Sequence, residues 1–162
     1  MLSISYKLKV IITGASFMLV IATLNQIHPD QKLVLNNILE TNITGQKIFF
    51  VETSGIIRKN FGTLNNRQAC SIESAALMNP GAQIYVVLLN VRLLKLSKEV
   101  QLLRKFKNVS FLRANYVKFS KNTPLKDFAA SRKLEKSKYP LEHSSDFLRI
   151  LLLWRLDKAI SN

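Results

Sequence analysis

The sequence predicts an α/β domain with a parallel sheet, set behind a single N-terminal transmembrane helix. Three observations predict it: a charge-free apolar run at residues 10–29, a strand–helix–strand pattern between Lys47 and Asn90, and a further β-rich run, VSFLRA, at residues 109–114. With 48% hydrophobic residues the chain is too apolar for wholesale disorder, although 24 Lys plus Arg against 10 Asp plus Glu leave a formal charge of +14.

The first element is the anchor. The run that contains VIITGASFMLVIATL spans about 20 residues, roughly 30 Å as a helix, which is the thickness of a bilayer's hydrocarbon core. Lys7 and Lys9 precede it and Asp30 follows, so residues 1–9 are expected in the cytosol and everything after residue 30 in a lumen. A cleaved signal peptide would need a small-x-small site behind the run, which Asn25, Gln26 and Ile27 do not offer. A span this short suits the thinner membranes of the endoplasmic reticulum or Golgi apparatus.

Residues 30–46 are polar, Asn-rich and weakly periodic, and read as a stem. Two sequons, Asn42-Ile-Thr44 and Asn108-Val-Ser110, agree with a luminal body. Asn42, in the stem, is the better glycan acceptor, because Asn108 runs directly into a strand.

The body then begins. KIFFVETS reads as a strand, residues 67–79 as a helix through Ala69, Ile72, Ala76 and Leu77, and AQIYVVLLN as a second strand. A β-α-β unit of this kind implies a parallel pair and a right-handed crossover. Residues 91–107 read as a basic connection with helical potential, VSFLRA as a third strand, and TPLKDFAAS as a short helix opened by Thr123 and Pro124. The last helix, about residues 144–156 with Ser144 or Ser145 as N-cap, is apolar around most of its circumference and is expected to be buried on several sides, with Trp154 in the core. His143, just before it, reads as a capping or hydrogen-bonding residue. Asp146 and Arg149, three apart, read locally as an ion pair. Cys70 is the sole cysteine, so no intramolecular disulfide can form, and a buried thiol is expected.

Residues 92–138 hold 14 Lys or Arg against Glu99, Asp127 and Glu135. No nucleic-acid partner is expected, because the tract lacks a groove-reading or base-stacking motif and lies on the luminal side. Anionic glycolipid headgroups or the luminal membrane face are the alternatives to a solvated basic face.

IFFVETS, RQACSIESAA and SKYPLEHSSDFLRILLLWR, taken in order, resemble the α-1,4-glycosyltransferase family, over about residues 47–156. The resemblance implies the N-terminal portion of a Rossmann-like, type A glycosyltransferase domain in a single-pass type II protein of the Golgi membrane. It further implies a UDP-sugar donor, galactose or N-acetylglucosamine transferred with retention to a glycolipid or glycan, and manganese held by an Asp-x-Asp motif. Val51, Glu52 and Thr53 match the nucleotide-contacting strand end, and Asp146 and Arg149 match a pattern that reaches the donor sugar. In the family a Gly-Gly turn and the Asp-x-Asp follow the last helix. Here residues 157–162 diverge, the first aspartate position is Asn162 and the second falls beyond it. The resemblance therefore implies no catalytic or metal-binding residue in residues 1–162, no tight metal binding, and a chain inactive alone: a fragment, isoform or faulty gene model. The alternative is a noncatalytic anchored protein that pairs with a full-length relative.

Overall fold

The most apolar run of the body forms the centre of the fold. In the computed structural model, which describes residues 32–58 and 60–158, strand β5 is Gln83–Leu89, and its six residues from Ile84 to Leu89 are all buried. Side chains alternate across a strand. Tyr85, Val87 and Leu89 face one apolar core, and Ile84, Val86 and Leu88 face another. Burial on both faces is what a parallel sheet sandwiched between helices demands, at about 1.5–3 kcal/mol for each large side chain withdrawn from water.

Parallel strands flank β5 on either side: β3 (Lys47–Glu52) in register from Lys47↔Gln83 to Glu52↔Leu88, and β7 (Val109–Ala114) from Ile84↔Val109 to Leu89↔Ala114. The expected β-α-β unit is present, with helix α1 (Asn66–Met78) as the crossover. Its start is fixed by a capping box, in which the Asn65 side chain accepts from Gln68 N and the Gln68 side chain accepts from Asn65 N, each at 2.9 Å. Ala69, Ile72 and Ala76 turn its apolar stripe onto the core, while Cys70 is exposed rather than buried.

Two segments depart from expectation. The stretch read as a stem contributes β1 (Lys32–Val34) and β2 (Asn36–Asn37), so the folded unit that holds every described residue begins at Lys32. Strand β2 extends the main sheet to the order β2-β7-β5-β3, all parallel. The connection read as helical opens with strand β6 (Val91–Lys95), followed by the short helix α2 (Lys98–Leu103). Strand β6 pairs antiparallel with β1 and parallel with β4 (Asn60–Gly62), which gives a second sheet of order β1-β6-β4. Leu35 joins the two sheets: its N–H donates to the Arg92 carbonyl at 3.1 Å, and its carbonyl accepts from Arg113 Nε at 3.1 Å.

After β7 come α3 (Tyr116–Phe119), capped by Asn115, and α4 (Lys126–Ala130), which starts just past Thr123 and Pro124. The last helix, α5 (Pro140–Lys158), starts a turn earlier than expected: Pro140 suits a first helical position because it has no N–H to leave unpaired, and Ser144 is buried inside the helix rather than capping it. Phe147, Leu148, Leu151 and Leu152 enter the core, but Ile150, Leu153 and Trp154 are exposed, so α5 is not buried around its whole circumference. Arg155 ties its far end to α3, donating from Nε to the Phe119 carbonyl at 2.7 Å and from Nη2 to the Lys121 carbonyl at 2.6 Å. The tail expected in the cytosol and the anchor expected at 10–29 lie outside the described residues; among those described, no helix is long and apolar enough to cross a membrane.

Candidate functional site

At the carboxyl end of β3 the chain leaves the sheet through Thr53 and a short 3-10 turn, Ser54–Ile56. This turn sits hard against the end of β5. A Cβ on Gly55 would lie 2.1 Å from the Leu89 carbonyl oxygen, so only glycine fits there. The close approach opens a cleft of ≈ 440 Å³ between the turn, the start of α1 and the first turn of α5.

Val51, Glu52 and Thr53 all line it, joined by Arg58, Asn65 and Gln68. Glu52 is held on both carboxylate oxygens: Oε1 accepts from Ser54 N at 2.7 Å, and Oε2 accepts from Gln68 Nε2. Gln68 is in turn fixed through its capping bond, so the rim Asn65–Gln68–Glu52–Ser54 forms one chain of hydrogen bonds. Thr53 Oγ1 donates to the Leu141 carbonyl at 3.0 Å and seats α5 on the strand end. The Arg58 guanidinium, steadied by Nη1 donating to Thr63 Oγ1 at 3.1 Å, presents further donors. Below the polar rim lies a niche of ≈ 50 Å³ bounded by Phe50, Leu64, Ile72 and Val86.

Asp146 and Arg149 are not among the residues that line the cleft. They pair with each other on the exposed side of α5, Arg149 Nη1 to Asp146 Oδ1 at 2.7 Å, and Arg149 Nη2 also donates to Ser145 Oγ at 2.6 Å. His143 lies inside the first turns of α5, its Nδ1 2.5 Å from Ser137 Oγ, and is thus a hydrogen-bonding residue of the helix start. Asn42 is exposed. Asn108 is not available in the fold as a glycan acceptor: its Nδ2 donates to the carbonyls of Ala76, Asn79 and Ala82, at 3.1, 3.3 and 3.3 Å.

Arg58, Asn65 and Gln68 were not singled out in the sequence. The N-x-x-Q of the capping box ahead of an apolar periodic run was a signal for two of them; for Arg58 there was none. No group of three His, Cys, Asp or Glu that could hold a metal ion is found among the described residues, and Glu52, the carboxylate at the cleft, has both oxygens engaged in hydrogen bonds.

The fold and the cleft define an α/β protein with a ligand-sized opening at the carboxyl edge of a parallel sheet, the edge at which such sheets receive their ligands. Its alternation of strands and helices is consistent with a Rossmann-like fold. The chain is 32% identical over 116 residues to lactosylceramide 4-alpha-galactosyltransferase from Homo sapiens, covering 69% of this chain and 31% of that protein. The Pan troglodytes protein of the same name matches with the same identity and coverage, and that of Gorilla gorilla gorilla is 32% identical over 112 residues, 67% of this chain and 33% of its own. At the level of the family, the chain is similar to these glycosyltransferases, and it spans about a third of their length. No family profile and no solved structure matches the chain.

Proposed function

We propose that this chain supplies the nucleotide side of the donor site of a Golgi hexosyltransferase. The enzyme would move galactose or N-acetylglucosamine from a UDP-sugar to a glycolipid or glycan acceptor, forming an α-1,4 linkage with retention. The observation that carries this reading is the cleft at the end of β3, in a chain similar to galactosyltransferases. Its parts suit a nucleotide: a cleft of ≈ 440 Å³ with room for base and phosphates, the fixed Glu52 carboxylate as acceptor, and the Arg58 fork as donor to phosphate oxygens. Asp146 lies five residues beyond the cleft-lining Leu141, about 7.5 Å along α5, so in this reading Asp146 and Arg149 meet the sugar end of the donor. Residues 10–29 would anchor the protein as type II, with the body in the lumen and a glycan on Asn42. Full-length relatives would add manganese; residues 1–162 contain no Asp-x-Asp, so they are expected to bind donor without help from the metal and to show no transfer alone.

Calorimetric titration of the detergent-solubilised chain with UDP, UDP-galactose and ADP tests the proposal. UDP should bind at least tenfold more tightly than ADP, manganese should add nothing, and Arg58→Ala should weaken UDP about tenfold, or ~1.4 kcal/mol. Equal affinity for ADP and UDP, or an Arg58→Ala chain that binds UDP normally, would sink the reading.

A second reading, a noncatalytic partner of a full-length relative, is favoured by the exposed Ile150, Leu153 and Trp154 of α5. Co-sedimentation with such a relative, abolished by Leu153→Glu, is its test.

A further inference from the structure

We propose that Arg92 and Arg113 form a second ligand site, for a single phosphate or sulfate group, where the two sheets meet. The site is a cavity of ≈ 90 Å³ lined by Asn90, Val91, Arg92, Arg113, Ala114 and Asn115. It has room for a few waters or one tetrahedral oxyanion. No carboxylate lines it. Arg92 and Arg113 both line it, and an anion held between two guanidinium groups would be attracted by each.

Both arginines are placed by backbone. Arg92 stands on β6 in one sheet and Arg113 on β7 in the other, and Leu35 pins the two together through the Arg92 carbonyl and Arg113 Nε. That bond orients the Arg113 guanidinium, and its remaining nitrogens, like the whole Arg92 side chain, make no hydrogen bond or ion pair with the described residues. Between them the chain turns at Asn90, a non-glycine residue at φ 55, held there by its N–H donating to the Ala114 carbonyl at 2.7 Å and its Oδ1 accepting from Tyr116 N at 3.2 Å. The surrounding excess of 14 Lys or Arg over three carboxylates in residues 92–138 would draw anions toward the site. The two amides of Asn90 and Asn115 complete a polar lining able to donate to oxyanion oxygens.

The group could reach the site as a free anion or on a lipid headgroup. The test uses the full chain in detergent, titrated with inorganic phosphate against chloride of equal ionic strength and followed by NMR of the arginine Nε–H groups. A parallel arm titrates the same detergent-solubilised chain with short-chain phosphatidic acid against short-chain phosphatidylcholine. Arg92→Gln is the informative variant, because the exposed Arg92 side chain supports nothing else in the fold; Lys105→Gln is the control for charge alone. Saturable shifts at Arg92 and Arg113 with phosphate, or with phosphatidic acid and not phosphatidylcholine, weakened at least fivefold at Arg113 by Arg92→Gln and unchanged by Lys105→Gln, are the expected result, and the arm that responds identifies the source. No response in either arm, an equal loss in both variants, or displacement of phosphate by stoichiometric UDP would overturn a separate site.

Discussion

Asn108 shows how one side chain can decide between two chemistries. Its amide nitrogen serves the carbonyls of Ala76 in the last turn of α1 and of Ala82 before β5, and adds to the bond that the Asn79 carbonyl already accepts from Ala82 N, so it closes the crossover between helix and strand. Asn108→Ala should cost about 1–2 kcal/mol, read as a lower denaturation midpoint, because part-buried carbonyls would lose a donor. Gly55→Ala should cost a comparable ~1–3 kcal/mol and also weaken UDP binding, since the Leu89 carbonyl is backbone and the turn itself must move away from the cleft. Tyr116 is a pH-dependent case. Burial first, and then its hydrogen bond to Glu135 at 2.8 Å, push its phenol up to about 12 from the ordinary 10.0. Between those values the unfolded chain has lost the proton that the folded chain keeps, so stability is unaffected below 10 and falls as pH rises toward 12. Tyr116→Phe should flatten that alkaline limb in a pH series of thermal melts.

At the scale of elements, what could be read from the sequence depended on how fully a segment is buried. β5 was plain because burial on both faces leaves an unbroken apolar run, and α1 because its buried positions recur at helical spacing. β6 was hidden: VRLLK buries Val91 and Leu94 and exposes Arg92 and Lys95, which is a helical spacing by accident in a half-exposed strand. β1 and β2 are three and two residues long and owe their conformation to distant partners, so nothing local announces them. In α5 the composition was legible and the orientation was not, since Trp154 and Leu153 are as apolar as Leu148 yet are exposed. Leu148→Ala should therefore cost ~2–5 kcal/mol in a denaturant titration, whereas Leu153→Ala should change stability by less than about 0.5 kcal/mol. The candidate site divides along the same line. The strand end at Val51–Thr53 was legible because sheets bind ligands there, but Arg58, several residues on, reaches the cleft only through the folded turn.

Over the whole molecule, two sheets share one short segment before β3. A chain that begins at Lys47 would lose β1, β2 and the Leu35 junction, and it should unfold or aggregate where one that begins at residue 30 melts cooperatively, as compared by circular dichroism.

The same junction sets a timetable for synthesis. Lys32 to Asn37 leave the ribosome before any of their partners, which lie at Leu93 to Lys95 and at Leu112 and Arg113. Until those residues emerge, the earliest part of the body is an unpaired extended thread, open to chaperones and proteases. The two sheets can be fastened only when synthesis of the described residues is well past half complete. Nascent chains arrested with residue 90 just exposed should be cleaved by protease within residues 32–46, and chains arrested with residue 120 exposed should resist.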